Sequence, residues 1–195
     1  AAFARKLVSQ GFGVVLVARK PGPLEALAEE LRAGGGQVRI ASVDLMAADA
    51  LDRVRAVTDD LEIGLLIYNA GANDTRGRFV ELPAEVTRGV TALTVPGKRE
   101  LARHYGAAMC RRGRGGIILA GSMSGYMGSP SLAAYTASKA FSRIFSEALW
   151  AECAPLGVDV LHLNIGFTAT PAMERLNIDT SAAQDPAEVA QEGLD

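Results

Sequence analysis

The sequence predicts an α/β fold, a doubly wound parallel sheet, on three observations. Short apolar runs alternate along the chain with longer stretches of helical periodicity, the pattern of repeated strand–helix units. Gly13-Val-Val-Leu-Val-Ala18 and Ile117-Ile-Leu-Ala120 are apolar without alternation, as strands covered on both faces are. Third, the residues with chemical potential fall just after such runs, where sheets of this kind bind ligands: Arg19, Asp44, Asn69, Ser122, and the loop from Gly166 to Thr170.

The elements follow in order. Ala1 to Gln10 reads as a helix stopped at Gly11, with no capping residue before Ala1. Gly13 to Ala18 is a strand. Pro21 to Ala33 is a helix with Pro in its first turn and Gly34-Gly-Gly36 after its end. Val38 to Val43 is the next strand, Ala47 to Leu61 a helix, Leu65 to Tyr68 a short strand, and Ala72 to Glu81 a polar loop. Pro83 to Val95 and Lys98 to Arg112 are helical, with Pro96-Gly97 between them. Ile117 to Ala120 is a strand, Ala133 to Cys153 a long helix, Val158 to Ile165 a strand, and Gly166 to Pro171 the loop after it. Asp185-Pro186 caps a final short helix.

A chain of 195 residues can bury one sizeable core, so a single domain over 1–195 is expected. Hydrophobic content is 49% and charged content 22%, and the net charge of −2 gives no reason to expect nucleic acid or an anionic membrane as partner. No apolar run approaches the ~20 residues of a membrane span, and there is no signal-peptide pattern at the start. Cys110 and Cys153 have neither metal-ligand nor redox spacing and read as free thiols of a reducing cytoplasm. No His, Cys, Asp or Glu cluster has metal-ligand spacing; His104 reads as a helix-surface residue and His162 as a sheet residue. Phe141, Phe145 and Leu149 repeat every four residues and read first as a core stripe.

The chemistry concentrates between Ser122 and Lys139. Tyr135 and Lys139 are four residues apart and share one face of a helix. An ammonium beside a phenol favours the phenolate, which suits the hydroxyl to acid–base catalysis. Ser122, thirteen residues before Tyr135 at a strand end, can hold a substrate oxygen while the tyrosine protonates it. Tyr135 as a packing residue and Lys139 as a solvated one is the alternative for the pair alone. Asn69-Ala70-Gly71 puts small residues where backbone can approach a flat ligand, although an ordinary turn reads the same way. Asp44 can accept a ligand's hydrogen bond or cap the following helix. Arg19-Lys20 is an anion site or a solvated basic pair.

Ser122, Tyr135 and Lys139, with Asn69-Ala70-Gly71, Asp44, and Gly166 with Thr170, resemble the short-chain dehydrogenase/reductase family of nicotinamide-dependent oxidoreductases. The resemblance covers nearly the whole chain and implies a Rossmann-like fold. It implies hydride transfer between NADP(H) and a carbonyl or secondary alcohol, with Ser122 polarising the carbonyl and Tyr135 moving the proton. Lys139 would assist the tyrosine and bind the nicotinamide ribose. It assigns Asp44 and the backbone of Leu45 to the adenine, Asn69, Ala70 and Gly71 to the adenosine side, and Gly166, Thr168 and Thr170 to the carboxamide segment, with the backbone amide of Phe167 or Thr168 serving there. Family members that use NAD place an acid where this chain has Ala18 followed by Arg19, and a guanidinium pairs with a 2′-phosphate; NADP is therefore expected, with NAD possible. The resemblance also implies a homodimer or homotetramer, through the long helix and the one before it, and a small-molecule partner.

Four departures accompany it. Ile165 stands where the family has Pro. Thr94 stands where the family has an Asn that anchors a water linked to the Lys. The family's first strand and Thr-Gly-x-x-x-Gly-x-Gly loop have no counterpart before the helix at Ala1, and its final strand has none after Asp195. The expectation is an incomplete domain whose strands at Val14 and Leu66 lack a partner between them, unless they pair directly. A nucleotide-binding or scaffold relative without full activity is the alternative function. Sugar-nucleotide epimerase or dehydratase chemistry, which shares a Tyr-Lys pair, usually brings a longer substrate domain. Residues Met173 to Ile178 fall where the family's substrate lid begins, and their apolar character suggests a lipophilic substrate.

Overall fold

The computed structural model describes residues 1–71, 76–170, 173 and 177–195. In chain order the elements are α1 (Ala2–Ser9), β1 (Val14–Ala18), α2 (Pro21–Ala33), β2 (Val38–Ser42), α3 (Ala50–Arg55), β3 (Leu65–Tyr68), α4 (Ala84–Thr94), α5 (Pro96–Arg112), β4 (Gly115–Ala120), α6 (Ala133–Cys153), β5 (Val158–Leu163) and α7 (Pro186–Glu192). They form two compact units, Ala1–Glu62 with Gln184–Asp195, and Ile63–Ala183. Residues 72–75 of the expected loop Ala72 to Glu81, 171–172, and 174–176 of the expected lid stretch Met173 to Ile178 lie outside the described residues.

In the first unit, β1 and β2 pair in parallel, from Val14 opposite Val38 to Ala18 opposite Ser42. Among the described residues β1 pairs with β2 alone. Pro21 opens α2 because its missing N–H falls where the helix has no acceptor to offer. Leu24, Ala28 and Leu31, spaced for one helix face, are its buried residues. Gly36 follows because a Cβ there would lie 2.6 Å from Val8 Cγ1. The helix expected over Ala47–Leu61 is only Ala50–Arg55. Its start is displaced by a turn in which Asp44 Oδ1 accepts from the Met46 amide at 3.0 Å. Past Arg55 the amides of Val57 and Thr58 bond three residues back, to Val54 O and Arg55 O, so the chain tightens into turns. Asp185 caps α7 as expected, its Oδ1 accepting from the Ala187 amide at 2.6 Å.

The second unit holds a parallel sheet in the order β3-β4-β5, with Tyr68 opposite Leu119 and Leu119 opposite His162. The central strand carries its core, Ile117 and Leu119 being fully buried. Pro96 separates α4 from α5 as expected. It has no N–H to continue the ladder, and the Tyr68 hydroxyl donates to Leu93 O at 2.5 Å beside the break. The β5 strand ends at Leu163, two residues short of the expected Ile165.

Helix α6 has the expected bounds but a different buried face. Thr136, Ser138, Lys139, Ser142, Ser146 and Cys153 are buried. Phe141 and Phe145 are half-buried and stack on each other with centroids 5.3 Å apart. Small residues let the helix pack against β4 and β5. Their hydroxyls do not go unsatisfied, because Ser138, Ser142 and Ser146 each bond back to the carbonyl four residues earlier. Cys110 and Cys153, 43 apart in sequence, are free thiols yet neighbours in space. Burial first, then the Cys110 thiol, pushes Cys153 up to about 11.

The turn into β5 makes one stability prediction. Gly157 has φ +74°, and a Cβ there would stand 2.3 Å from the Gly113 carbonyl oxygen. A left-handed backbone and a clash with main chain both oppose a side chain. Gly157→Ala is expected to lower unfolding stability by on the order of 2–3 kcal/mol, read from chemical denaturation. A change within a few tenths would show that the turn relaxes freely.

Candidate functional site

Within the second unit, the expected Ser, Tyr and Lys are set by β4, the short 3-10 turn after it, and α6. Ser122 follows the end of β4 and caps the turn Met123–Gly125, its Oγ accepting from the Ser124 amide at 3.2 Å. Tyr135 lies in the first turn of α6 and Lys139 one turn on, as their spacing requires. The Lys139 ammonium stands 5.5 Å from the centre of the Tyr135 ring. It also donates to the Gly121 carbonyl at 3.4 Å, tying α6 to the residue before Ser122. Two glycines make the approach possible. A Cβ on Gly71 would lie 3.2 Å from Lys139 Nζ, and one on Gly125 would lie 2.9 Å from the Lys139 carbonyl.

Lys139 is 6% exposed, and among the described residues no carboxylate pairs with it. Burial lowers it to about 8. An ammonium on a closed helix face beside a half-buried phenol is the donor set that suits a ribose hydroxyl and a proton transfer. Asn69 and Ala70 follow the end of β3 and lead to Gly71. The loop after β5 is fastened nearby, because the Met123 amide donates to Ile165 O at 3.0 Å. Gly166, Thr168 and Thr170 thus lead off from the residue bonded to the turn after Ser122. Thr168 is buried, and its hydroxyl donates to Gly166 O at 3.3 Å. Thr94 is the last residue of α4 and is fully buried.

Arg19, Asp44 and Leu45 belong to the first unit. Arg19 is exposed at the end of β1, where the Ser42 hydroxyl donates to its carbonyl at 3.3 Å. Asp44 and Leu45 are half-buried after β2, and the Asp44 carboxylate closes its own turn rather than capping α3, whose N-cap position is Asp49.

Two features were not singled out in the sequence. A shallow groove beside Tyr135 is lined by Phe79, Leu82, Val86, Val90 and Leu132. Its lining comes from α4, the first turn of α6 and two loops, so no single periodic run signals it. The second is Lys98, buried on α5. Its spacing from Leu101, Ala102, Tyr105 and Met109 places it on the helix's apolar stripe, a signal that was available in the sequence. Among the described residues no group of three or more His, Cys, Asp or Glu side chains is arranged for a metal, and no helix is long and apolar enough to cross a membrane.

Residues 1–181 match the family described as short chain dehydrogenase. A very-long-chain 3-oxoacyl-CoA reductase of Neurospora crassa is 31% identical over 98% of this chain and 59% of its own. A 7beta-hydroxysteroid dehydrogenase of Clostridium sardiniense is 31% identical over 100% of this chain and 76% of its own. The chain therefore spans about three-fifths of the first of these relatives and three-quarters of the second. Among solved structures, a 7beta-hydroxysteroid dehydrogenase superposes with a TM-score of 0.92 at 29% identity, covering 99% of this chain and 77% of that one. A short-chain dehydrogenase from Sphingobium yanoikuyae in complex with NADPH gives 0.91 at 30%, with the same coverage.

Proposed function

The chain belongs to the short chain dehydrogenase family, a family of oxidoreductase enzymes, and from that premise we propose that it moves hydride between NADP(H) and a lipophilic carbonyl or secondary alcohol. The observation that carries the reading is the Lys139 ammonium 5.5 Å from the Tyr135 ring, closed in by Gly71 and Gly121. The nicotinamide, when bound, supplies the hydride. Tyr135 gives its hydroxyl proton to the substrate oxygen in reduction and takes it back in oxidation. Ser122 holds that oxygen from the other side. Lys139 favours the phenolate that proton transfer leaves behind, and its donors suit the ribose. Asn69, Ala70, Gly71, Gly166, Thr168 and Thr170 are assigned to cofactor contact on the second unit, and Asp44 and Leu45 to the adenine.

The substrate class rests on the apolar groove beside Tyr135. The relatives named above act on a hydroxysteroid and a very-long-chain acyl thioester, both lipophilic. The test is NADPH oxidation by the chain with oxo-steroids, 3-oxoacyl thioesters and small polar ketones. Turnover confined to the first two supports the reading. No turnover with any favours the non-enzymatic alternative. The half-buried stack of Phe141 and Phe145 on α6 is the surface we assign to a homodimer or homotetramer, to be read by sedimentation, and the free thiols suit a reducing compartment such as the cytoplasm.

Arg19 is assigned to the 2′-phosphate of NADP(H), on its residue type and exposure at a strand end. Arg19→Ala is expected to weaken NADPH roughly tenfold to a hundredfold, the range of one charge-assisted hydrogen bond, and to leave NADH nearly unchanged. Titration calorimetry with both cofactors checks this. Equal losses for the two would reduce Arg19 to a surface residue.

A further inference from the structure

The side chain that the proposed reaction leaves unused is Lys98. It lies on the buried face of α5 with Leu101, Ala102, Tyr105, Gly106 and Met109, and it is the one charged residue there. It is 0% exposed. A leucine or methionine would fill this position without the desolvation cost of an amine. Lys98 instead makes two directed bonds. Its Nζ donates to Ala120 O at 2.9 Å and to Ser142 Oγ at 2.8 Å. Ala120 is two residues before Ser122, and Ser142 is three residues after Lys139. The amine thus joins the strand end that presents the serine to the helix that presents the tyrosine and lysine.

The groups that face it are few. From β3 comes the Tyr68 ring, 5.7 Å from Nζ. From α6 comes Lys139, whose charge acts on Lys98. From β5 comes His162, lowered by burial and then by Lys98 and Lys139, with Arg143 adding to this and Glu147 opposing it from α6. Its Nε2 is buried without a hydrogen-bond partner. Among the described residues no carboxylate pairs with Lys98. Burial first, then the Lys139 charge, lowers Lys98 to about 7. It therefore changes charge near neutral pH, ahead of Lys139.

We infer that Lys98 is a positioning residue for the Tyr135–Lys139 centre: it clamps the end of β4 to α6, and its charge, present or absent, sets the field in which that pair works. The inference rests on the proposed reaction for its consequence, and on the clamp for its geometry.

The experiment uses the four lysines of the chain, Lys6, Lys20, Lys98 and Lys139, labelled with ¹³C at Cε and titrated by NMR. In the wild-type chain Lys98 is expected to titrate well below the ordinary lysine value of ~10.4. In Lys139→Met its midpoint should rise by half a pH unit to about two units, the range for a like charge several ångströms away at an effective dielectric near ~20. A Lys98 midpoint at the ordinary lysine value, or no response to Lys139→Met, overturns the inference. The second readout is the pH profile of kcat/KM. The wild-type profile should bend at the Lys98 midpoint, and Lys98→Met should lose that bend. Should Lys98→Met fail to fold, Ser142→Ala removes one acceptor of the charged form, so the Lys98 midpoint should fall and the bend should follow it. A bend that stays in place overturns the inference. A wild-type chain without turnover would instead fail the proposed reaction, while the titrations still decide whether the two lysines are coupled.

Discussion

Tyr135→Phe is expected to lower turnover by ~10²–10⁴-fold, the usual worth of proton transfer by a positioned side chain, with little change in NADPH affinity. The substitution removes one oxygen and keeps the ring over which the Lys139 ammonium sits at 5.5 Å. The cation–π contact and the helix register survive it, so the loss reports the proton and not the fold. Ser122→Ala makes a less clean comparison, because Ser122 Oγ also caps the turn Met123–Gly125 at 3.2 Å from the Ser124 amide. Losing such a cap costs ~1 kcal/mol of local stability in addition to any catalytic effect. Single-turnover kinetics with NADPH and an oxo-steroid, alongside NADPH binding by calorimetry, separate the terms. A Tyr135→Phe chain that keeps near-wild-type turnover would remove Tyr135 from the reaction.

Much of the architecture was legible because local signals and tertiary packing agree there. Pro21 and Gly34 bracket α2, and the apolar run Leu65–Tyr68 is β3, both with the bounds the sequence implies. Lys139 beside Tyr135 followed from helical spacing alone. Legibility failed where a side chain's hydrogen bonds outweigh its type. The aromatic repeat Phe141, Phe145 and Leu149 reads as the core face of α6. The helix instead buries Ser138, Ser142 and Ser146, whose hydroxyls are satisfied by their own backbone. The Asp44 turn likewise displaced the start of α3, since its carboxylate competes with the helix for backbone amides. The sequence also left open whether the strands at Val14 and Leu66 pair directly. Among the described residues β1 bonds only β2, and β3 bonds only β4. Lys98 shows the limit most clearly. Its spacing put it on a core stripe, yet nothing in the sequence near it names Ala120 O or Ser142 Oγ as its acceptors.

The two buried lysines make stability depend on pH in a definite direction. Lys98 is lowered from 10.5 to about 7 and Lys139 from 10.5 to about 8. Burial is the main cause for both. In the unfolded chain each lysine is protonated up to about 10.4. Between about pH 7 and 10 the unfolded state therefore holds more protons than the native state. The free energy of unfolding rises with pH wherever that is so, with a slope of at most ~1.4 kcal/mol per pH unit per lysine. The native chain is thus expected to be more stable at pH 9 than at pH 7, the reverse of a chain stabilised by lysine salt bridges. The comparison stops at pH 9 because Cys153, pushed up to about 11, acts in the opposite sense once unfolded thiols ionise. Lys98→Met isolates the lysine. The variant loses one titrating amine and keeps every other group, so its urea midpoint should climb less steeply between pH 7 and 9 than the wild type's. It should also exceed the wild type at pH 7 if the methionine packs well, since replacing a buried charge by an apolar side chain of similar volume is often stabilising. A wild-type midpoint that is flat or falling over this range, with the same slope in Lys98→Met, would mean that both amines keep their protons in the folded state.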